Sequence, residues 1–284
     1  MTESTLFVVA TPLGNLDDLS PRARQVLDQV DLIAAEDTRR SRRLLSHFGI
    51  NTRQISLHEH NEAAVVAKLI DKLLAGQNVA LISDAGTPLI SDPGYRLLKA
   101  AHQENVRVSP IPGPSAVVAA LSVAGLPTDR FCFEGFLPAK KNARRERLGE
   151  LADETRTVVL FEATHRFADC VADLVAVFGP DRQAFVAREI SKLHEQCVSA
   201  TLAELAQLTE RGQIELKGEF VVAVEGREAV AGRRESVDVE ELLRALAAMM
   251  PGRQAAELAA KLTGRGRNEM YRLMLDIKGD TASD

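Results

Sequence analysis

Over the first 110 residues the apolar positions switch between a strand-like and a helix-like spacing, predicting strands and helices in alternation. Residues 6–10 form a short apolar run of buried-strand length. Ser20-Pro21 starts a helix, serine as cap and proline in the first turn, and the helical period runs to about Val30. Residues 32–35 read as the next strand, and Thr38 is placed to cap an arginine-rich helix ending near Phe48-Gly49. Residues 53–57 read as a strand, Asn61 caps a helix to about Leu74 that Gly76 stops, and 79–82 is a buried strand. A glycine- and proline-rich loop over 83–94 precedes a helix to about Glu104 and a strand over 106–109. This alternation predicts a mostly parallel sheet covered by helices.

Pro110-Ile111-Pro112-Gly113-Pro114 is the densest turn signal in the chain, so a first α/β domain is expected over 1–112. Beyond it the pattern predicts helices at 115–123, 142–151, 165–177 and 203–209 and strands at 131–135, 157–161, 184–188 and 219–225. Fewer helices per strand imply a mixed sheet, giving a second α/β domain over 113–228. A polar linker reads at 229–235, within a helical tail over 229–284 with helices at 239–249, 254–262 and 267–277. The last two, joined through Thr263-Gly264, have the outline of a helix-turn-helix.

Charge changes the picture only locally. The formal net charge is −5, which argues against wholesale coating of nucleic acid. The basic residues nevertheless cluster, at Arg39, Arg40, Arg42 and Arg43, at Lys140, Lys141, Arg144, Arg145 and Arg147, and in the tail at Arg253, Lys261, Arg265, Arg267, Arg272 and Lys278. Such patches can be solvated helix faces or can dock RNA at chosen points. Three cysteines with no C-x-x-C pair suit neither a disulfide framework nor a zinc ribbon. No signal peptide and no apolar run of membrane-spanning length is read, so a soluble cytoplasmic protein is expected.

Ligands of an open parallel sheet bind beyond the carboxyl ends of its strands. Two loops there are built for close backbone approach: Thr11-Pro12-Leu13-Gly14-Asn15-Leu16, and Ser83-Asp84-Ala85-Gly86-Thr87-Pro88 continuing to Ser91-Asp92-Pro93-Gly94. Each could be a tight turn; together they favour a small-molecule site. Neither matches a dinucleotide or P-loop fingerprint. Glu36-Asp37-Thr38-Arg39 and Thr164-His165-Arg166 lie at other strand-to-helix junctions, where helix capping and chemistry are both open readings. His58-Glu59-His60 lacks a third ligand, so a turn before the Asn61 helix is expected there and a metal is not.

Taken together, these loops resemble the ribosomal RNA small subunit methyltransferase I family, within the tetrapyrrole-methylase-like superfamily. The likeness continues through Ala35-Glu36-Asp37-Thr38-Arg39, His58-Glu59-His60-Asn61, Pro112-Gly113-Pro114-Ser115-Ala116, Phe161-Glu162-Ala163-Thr164-His165-Arg166 and Arg188-Glu189-Ile190-Ser191-Lys192-Leu193-His194-Glu195, covering essentially the whole chain. It implies two α/β domains with S-adenosylmethionine in the cleft between them, a homodimer, and 2'-O-methylation of the ribose of one cytidine (cytidine 1402) in 16S rRNA of the small ribosomal subunit. Residue by residue, it places the cofactor against Pro12, Leu13, Gly14, Asp84, Ala85, Gly86, Ile90, Ser91, Ser115, Ala116, Phe161 and Glu162. The superfamily's tetrapyrrole enzymes carry a richer glycine loop where this chain has Thr11-Pro12-Leu13-Gly14, a departure that fits the rRNA branch. Glu36, Asp37, Arg39 and Lys192 are then the candidates near the target ribose, and Arg39, Arg40, Arg42, Arg43, Lys140, Lys141, Arg144 and Arg145 the candidate phosphate contacts. The alternatives are a methyltransferase of a small tetrapyrrole-like substrate, and a non-enzymatic ribosome-binding factor that keeps a vestigial pocket.

Overall fold

A computed structural model of the chain describes residues 4–58, 61–228, 239–263 and 265–280. It divides into two compact units, Met1–Arg227 and Glu228–Asp284.

The first unit holds two five-stranded sheets. In the first, β1 (Thr5–Val9), β2 (Leu32–Ala35), β3 (Gln54–Ser56), β4 (Val79–Ile82) and β5 (Arg107–Ile111) run in the order β3-β2-β4-β1-β5, every pair parallel. Side chains alternate across a strand, and here both faces are apolar. Leu32, Ala34, Val79 and Leu81 pack with Leu69 and Leu73 of α3 (Glu62–Leu74) and Leu97 of α4 (Tyr95–Gln103). Ile33, Ala35, Ala80 and Ile82 pack with Ala23 and Leu27 of α1 (Pro21–Gln29) and Leu45 of α2 (Thr38–His47). A parallel sheet covered on both sides follows from these continuous apolar runs.

The second sheet, β6 (Phe131–Phe136), β7 (Thr157–Ala163), β8 (Gln183–Arg188), β9 (Gln196–Thr201) and β10 (Glu219–Val224), has the order β6-β7-β10-β8-β9. It is mixed, as expected: β6 and β7 are parallel and the other pairs antiparallel. One face is covered by α5 (Ala116–Ala124), whose Val117, Ala120 and Leu121 meet Val159, Phe185, Val221 and Ala223. The opposite face packs on α6 (Lys141–Leu151), α7 (Phe167–Phe178) and α8 (Leu202–Glu210), with Phe167 stacked on Phe220 at 4.1 Å.

The second unit packs α9 (Val239–Met249), α10 (Gly252–Thr263) and α11 (Arg267–Asp280) around Leu243, Ala255, Ala256, Ala259, Met270 and Met274. Three alanines on one face of α10 let its neighbours approach closely. The expected 229–235 linker and Gly264 lie outside the described residues, as do Glu59 and His60. Among the described residues no helix is long and apolar enough to cross a membrane.

The structure corrects the sequence expectations locally. β5 runs through Pro110 to Ile111 rather than stopping at Ser109, because an edge strand tolerates the missing proline N–H. β9 is an additional strand; it lies at an edge and its alternation is too polar to stand out in sequence. Asp37, not Thr38, caps α2, accepting the Arg39 N–H at 2.8 Å. Asn61 makes no side-chain cap bond; its carbonyl oxygen takes the His58 N–H at 2.9 Å and its amide donates to the Ser56 carbonyl at 3.0 Å. Arg144 faces inward: its side chain is 3% exposed and pairs with the similarly buried Asp173 at 2.7 Å. Arg145 shares that carboxylate at 2.6 Å.

Removing one partner of a buried pair strands the other charge. Asp173→Ala should therefore cost about 3–5 kcal/mol, read as a lower urea midpoint at unchanged slope; a wild-type midpoint would show that Arg144 does not depend on Asp173.

Candidate functional site

Because the first sheet is all parallel, the loops leaving β1, β2, β4 and β5 emerge on one edge. Backbone pairing ties the first two candidate loops together. Thr11 N–H donates to the Gly86 carbonyl at 2.9 Å and Gly86 N–H returns a bond to Thr11 at 3.0 Å. Thr11 Oγ1 donates to the Ser83 carbonyl at 3.3 Å, and Thr87 Oγ1 to the Pro114 carbonyl at 2.9 Å, joining the third loop. The packing is limited by glycine. Gly86 has φ +76°, and a Cβ there would lie 3.1 Å from Leu13 Cδ2; one on Gly113 would lie 3.0 Å from Ala10 Cβ. Leu89 and Ser91 take φ of 76° and 70°, a strained region for non-glycine residues that the surrounding bonds must hold.

These loops border a cavity of about 340 Å³ lined by Leu13, Asp18, Gly113, Pro114, Ser115, Ala119 and Ser191. Its wall is largely apolar, with glycine, proline and small side chains that include the start of α5. Of the expected cofactor residues, Leu13 and Ser115 line it directly, with Pro12, Gly14 and Ala116 their chain neighbours. A larger groove of about 540 Å³ lies between α1 and the end of α2, but none of those residues lines it. Ser91 meets the second sheet, where a Cβ on Gly135 would be 3.1 Å from Ser91 Oγ. Ile90 is exposed at the tip of the same loop. Phe161 belongs to an aromatic group with Phe133 and Phe136, centroids 4.8 and 5.7 Å away. The Glu162 side chain is buried against Arg166 at 3.1 Å, which leaves its main chain as the part that a cofactor could reach.

A group of acids sits beside the cavity loops. Asp84 N–H donates to Glu36 Oε2 at 3.2 Å and Asp37 N–H to Asp84 Oδ1 at 3.1 Å, while Arg40 pairs with Asp84 at 3.0 Å. Asp37 chelates the Arg39 side chain, which holds its carboxyl below the usual carboxylate range. Glu36 is raised, by burial first and then by the charge of Asp84 against the pull of the Asp84 N–H. Asp84 is raised by burial against the pull of Arg40. Asp92, which lies in the Ser91-Asp92-Pro93-Gly94 motif but is not among the candidate site residues, is pushed up to about 7: burial dominates, a Ser83 hydrogen bond opposes it, and Glu36 and Asp84 add repulsion. The signal available in sequence is a further acid within the same glycine- and proline-rich loop.

Lys192 reaches the site from the second sheet. Its ammonium bonds Glu189 at 2.8 Å and Glu219 at 2.9 Å, and Ser191 Oγ donates to the Asp18 carboxylate. Burial lowers the lysine's proton affinity, but the two carboxylates outweigh it, so the amine stays above its ordinary value and is a cation at neutral pH. Of the candidate phosphate contacts, Arg39, Arg40, Arg42, Arg43, Lys140, Lys141 and Arg145 are exposed to solvent in whole or part, and Arg144 is not.

The tetrapyrrole (corrin/porphyrin) methylase profile matches residues 5–206, and that of the RsmI C-terminal HTH domain residues 234–278. Proteins named ribosomal RNA small subunit methyltransferase I are similar over nearly the full length. The one from Pseudomonas aeruginosa is 51% identical, covering 98% of this chain and 99% of its own. Those from Xylella fastidiosa (50%, 95% and 98%) and Escherichia coli O157:H7 (46%, 98% and 97%) are comparable. The chain belongs to the ribosomal RNA small subunit methyltransferase I family. The solved structure of a cobalt precorrin-4 methyltransferase shares the family's fold (TM-score 0.58, 18% identity, 77% of this chain and 94% of that one). So does a uroporphyrin-III C-methyltransferase from Thermus thermophilus complexed with S-adenosyl homocysteine (0.54, 17%, 78% and 97%).

The raised Asp92 carboxyl makes a pH prediction. The folded chain keeps a proton that the unfolded chain has released, so this contribution to stability is full below the usual carboxylate range and is lost as pH rises through about 7. Urea unfolding at about pH 5 and pH 8 should show that loss shrinking in Asp92→Asn; an identical drop in both proteins would place the titration elsewhere.

Proposed function

We propose that this chain transfers a methyl group from S-adenosylmethionine to the ribose 2'-hydroxyl of one cytidine in 16S rRNA, acting on the small ribosomal subunit. The observation that carries the reading is the largely apolar cavity on the carboxyl edge of the first sheet, in a chain half identical to proteins named for small-subunit rRNA methylation. A homodimer belongs to the same reading and rests on the family resemblance, whereas a cytoplasmic location and domain boundaries near 112 and 228 rest on the composition and turn pattern of the sequence.

The residues fit the cofactor. A 340 Å³ cavity with an apolar wall is within the range of small-ligand sites, and Gly86 and Gly113 let the loops that border it pack closely on Leu13 and Ala10. Pro12, Leu13, Gly14, Asp84, Ala85, Gly86, Ile90, Ser91, Ser115, Ala116 and Phe161 are the residues assigned to hold it, with Glu162 limited to its main chain. When bound, S-adenosylmethionine supplies an electrophilic methyl group on a sulfonium.

The chain's own task is orientation and proton removal. Loops tied by the Thr11–Gly86 bonds hold their geometry before substrate arrives, which is where an in-line displacement gains most. As the ribose oxygen bonds to the methyl carbon, its proton must pass to an acceptor. Glu36 and Asp92 are the fitting acceptors, because burial has raised the pKa of both carboxyls, that of Asp92 to about 7. Asp37 is a poor one, being occupied by Arg39 and by the N-terminus of α2. Lys192, held protonated, contributes charge rather than basicity. The exposed arginines of α2 lie beside the acids and are placed to take RNA phosphates.

The deciding experiment is methyl transfer from labelled S-adenosylmethionine to purified small subunits lacking the modification, with the label mapped. Label on one cytidine ribose is expected; no label despite cofactor binding would favour a tetrapyrrole-like substrate, since the fold is shared with such enzymes and fold does not set substrate. Glu36→Ala or Asp92→Asn should lower kcat by about 10²-fold or more with cofactor affinity nearly intact; wild-type turnover in both would remove the carboxylates from the mechanism. Replacing Arg39, Arg40, Arg42 and Arg43 by glutamine should weaken RNA binding and flatten its salt dependence by about 0.7–0.9 in log-log slope per phosphate no longer neutralised. An unchanged slope would make α2 an ordinary solvated face.

A further inference from the structure

Two glycines distant in sequence flank the Lys192 ion pair. A Cβ built on Gly14 would lie 2.2 Å from Lys192 Cγ, 2.9 Å from Cδ and 3.0 Å from Cε, so the lysine stem lies flat across the Gly14 backbone. A Cβ built on Gly218, at φ +88°, would lie 2.3 Å from both Cδ and Oε1 of Glu189. Glu189 in turn accepts the Glu219 N–H at 3.0 Å and the Lys192 ammonium at 2.8 Å. The segment that carries the pair is bent against its preference, with φ of 50° at Glu189 and 65° at Ser191. Such strain persists only where neighbours over-determine it. Here the Ser191–Asp18 bond, the ion pair and the two bare glycine backbones do so.

We propose that Gly14 is a positioning residue for Lys192: its missing side chain, with that of Gly218 beneath Glu189, seats the lysine from the second sheet as a fixed cation over the loop that follows β1. An alanine-sized group at either position would occupy the volume that Lys192 or Glu189 fills. A long lysine side chain is otherwise mobile and strongly hydrated, whereas this one is 24% exposed and held by two carboxylates. Gly14 is thus needed for the lysine as well as for any close approach of cofactor to the loop. The inference rests on the reading of Lys192 as a group beside the acceptor ribose.

The test uses the full chain with Gly14→Ala, a position outside the left-handed region, so the added methyl acts through the clash alone. Competitive labelling of lysine amines, read by mass spectrometry, should show Lys192 reacting several-fold faster than in wild type while the other lysines are unchanged. In kinetics, Gly14→Ala should lower kcat, and adding it to Lys192→Ala should bring no further loss, because coupled residues do not add. Should Gly14→Ala be unstable, Lys192→Ala in the same chain should recover the unfolding midpoint by vacating the clash. Unchanged Lys192 reactivity, no recovery of a lowered midpoint, or a kcat loss that adds to that of Lys192→Ala together with weakened cofactor binding would each overturn the proposal. Faster labelling with wild-type turnover in both single variants would uphold the seat and instead remove Lys192 from the acceptor ribose.

Discussion

Five strands running the same way leave every strand-to-helix turn of the first sheet on one edge, and the candidate site depends on that shared polarity. Glu36 and Asp37 follow β2, the Thr11 loop follows β1, the Ser83 loop follows β4 and the Pro112 loop follows β5. No local preference would bring these segments together. The parallel register does, and the Thr11–Gly86 pairing then draws two of the loops into backbone contact. Glycine at 86 and 113 sets how close that contact is, and the unfavourable backbone at Leu89 and Ser91 is the conformational cost of the arrangement.

The second sheet is organised differently and serves a different purpose. Its apolar face on α6, α7 and α8 makes a core that includes the buried Arg144–Asp173 pair, while α5 packs on the face opposite. From this sheet the strained 189–195 segment reaches the first-sheet loops, through Ser191 on Asp18 and Lys192 on Gly14. The two sheets thus meet at the site through Ser191 and Lys192.

Those charges are partitioned by burial. Carboxylates at the carboxyl ends of β2 and β4 lose water, and Glu36, Asp84 and Asp92 hold their protons more tightly for it. Asp37, at the surface with Arg39, does the opposite. An acidic body with a net charge of −5 can therefore present arginines to an anionic polymer while keeping beside them acids whose proton affinity burial has raised.

Much of the fold was legible in sequence, because the apolar runs of β1, β2 and β4 and the helical periods between them are local signals that tertiary structure had no reason to override. Caps and edges were less legible. Asp37 and Thr38 are both good caps, and only the backbone path chose between them; β9 pairs on one side, so its alternation is faint. Of the site, the loops and their family resemblance stood out through glycine, proline and motif order. Charges that face inward carry no such mark, and so Arg144 reads as a surface cation and Asp92 as one more loop acid. By itself the sequence determined most of the secondary elements, β9 excepted, and the family. Tertiary structure alone decided which acid is desolvated, which arginine is buried and which glycine carries the stem of a distant lysine, because burial and close approach belong to pairs of residues far apart in the chain.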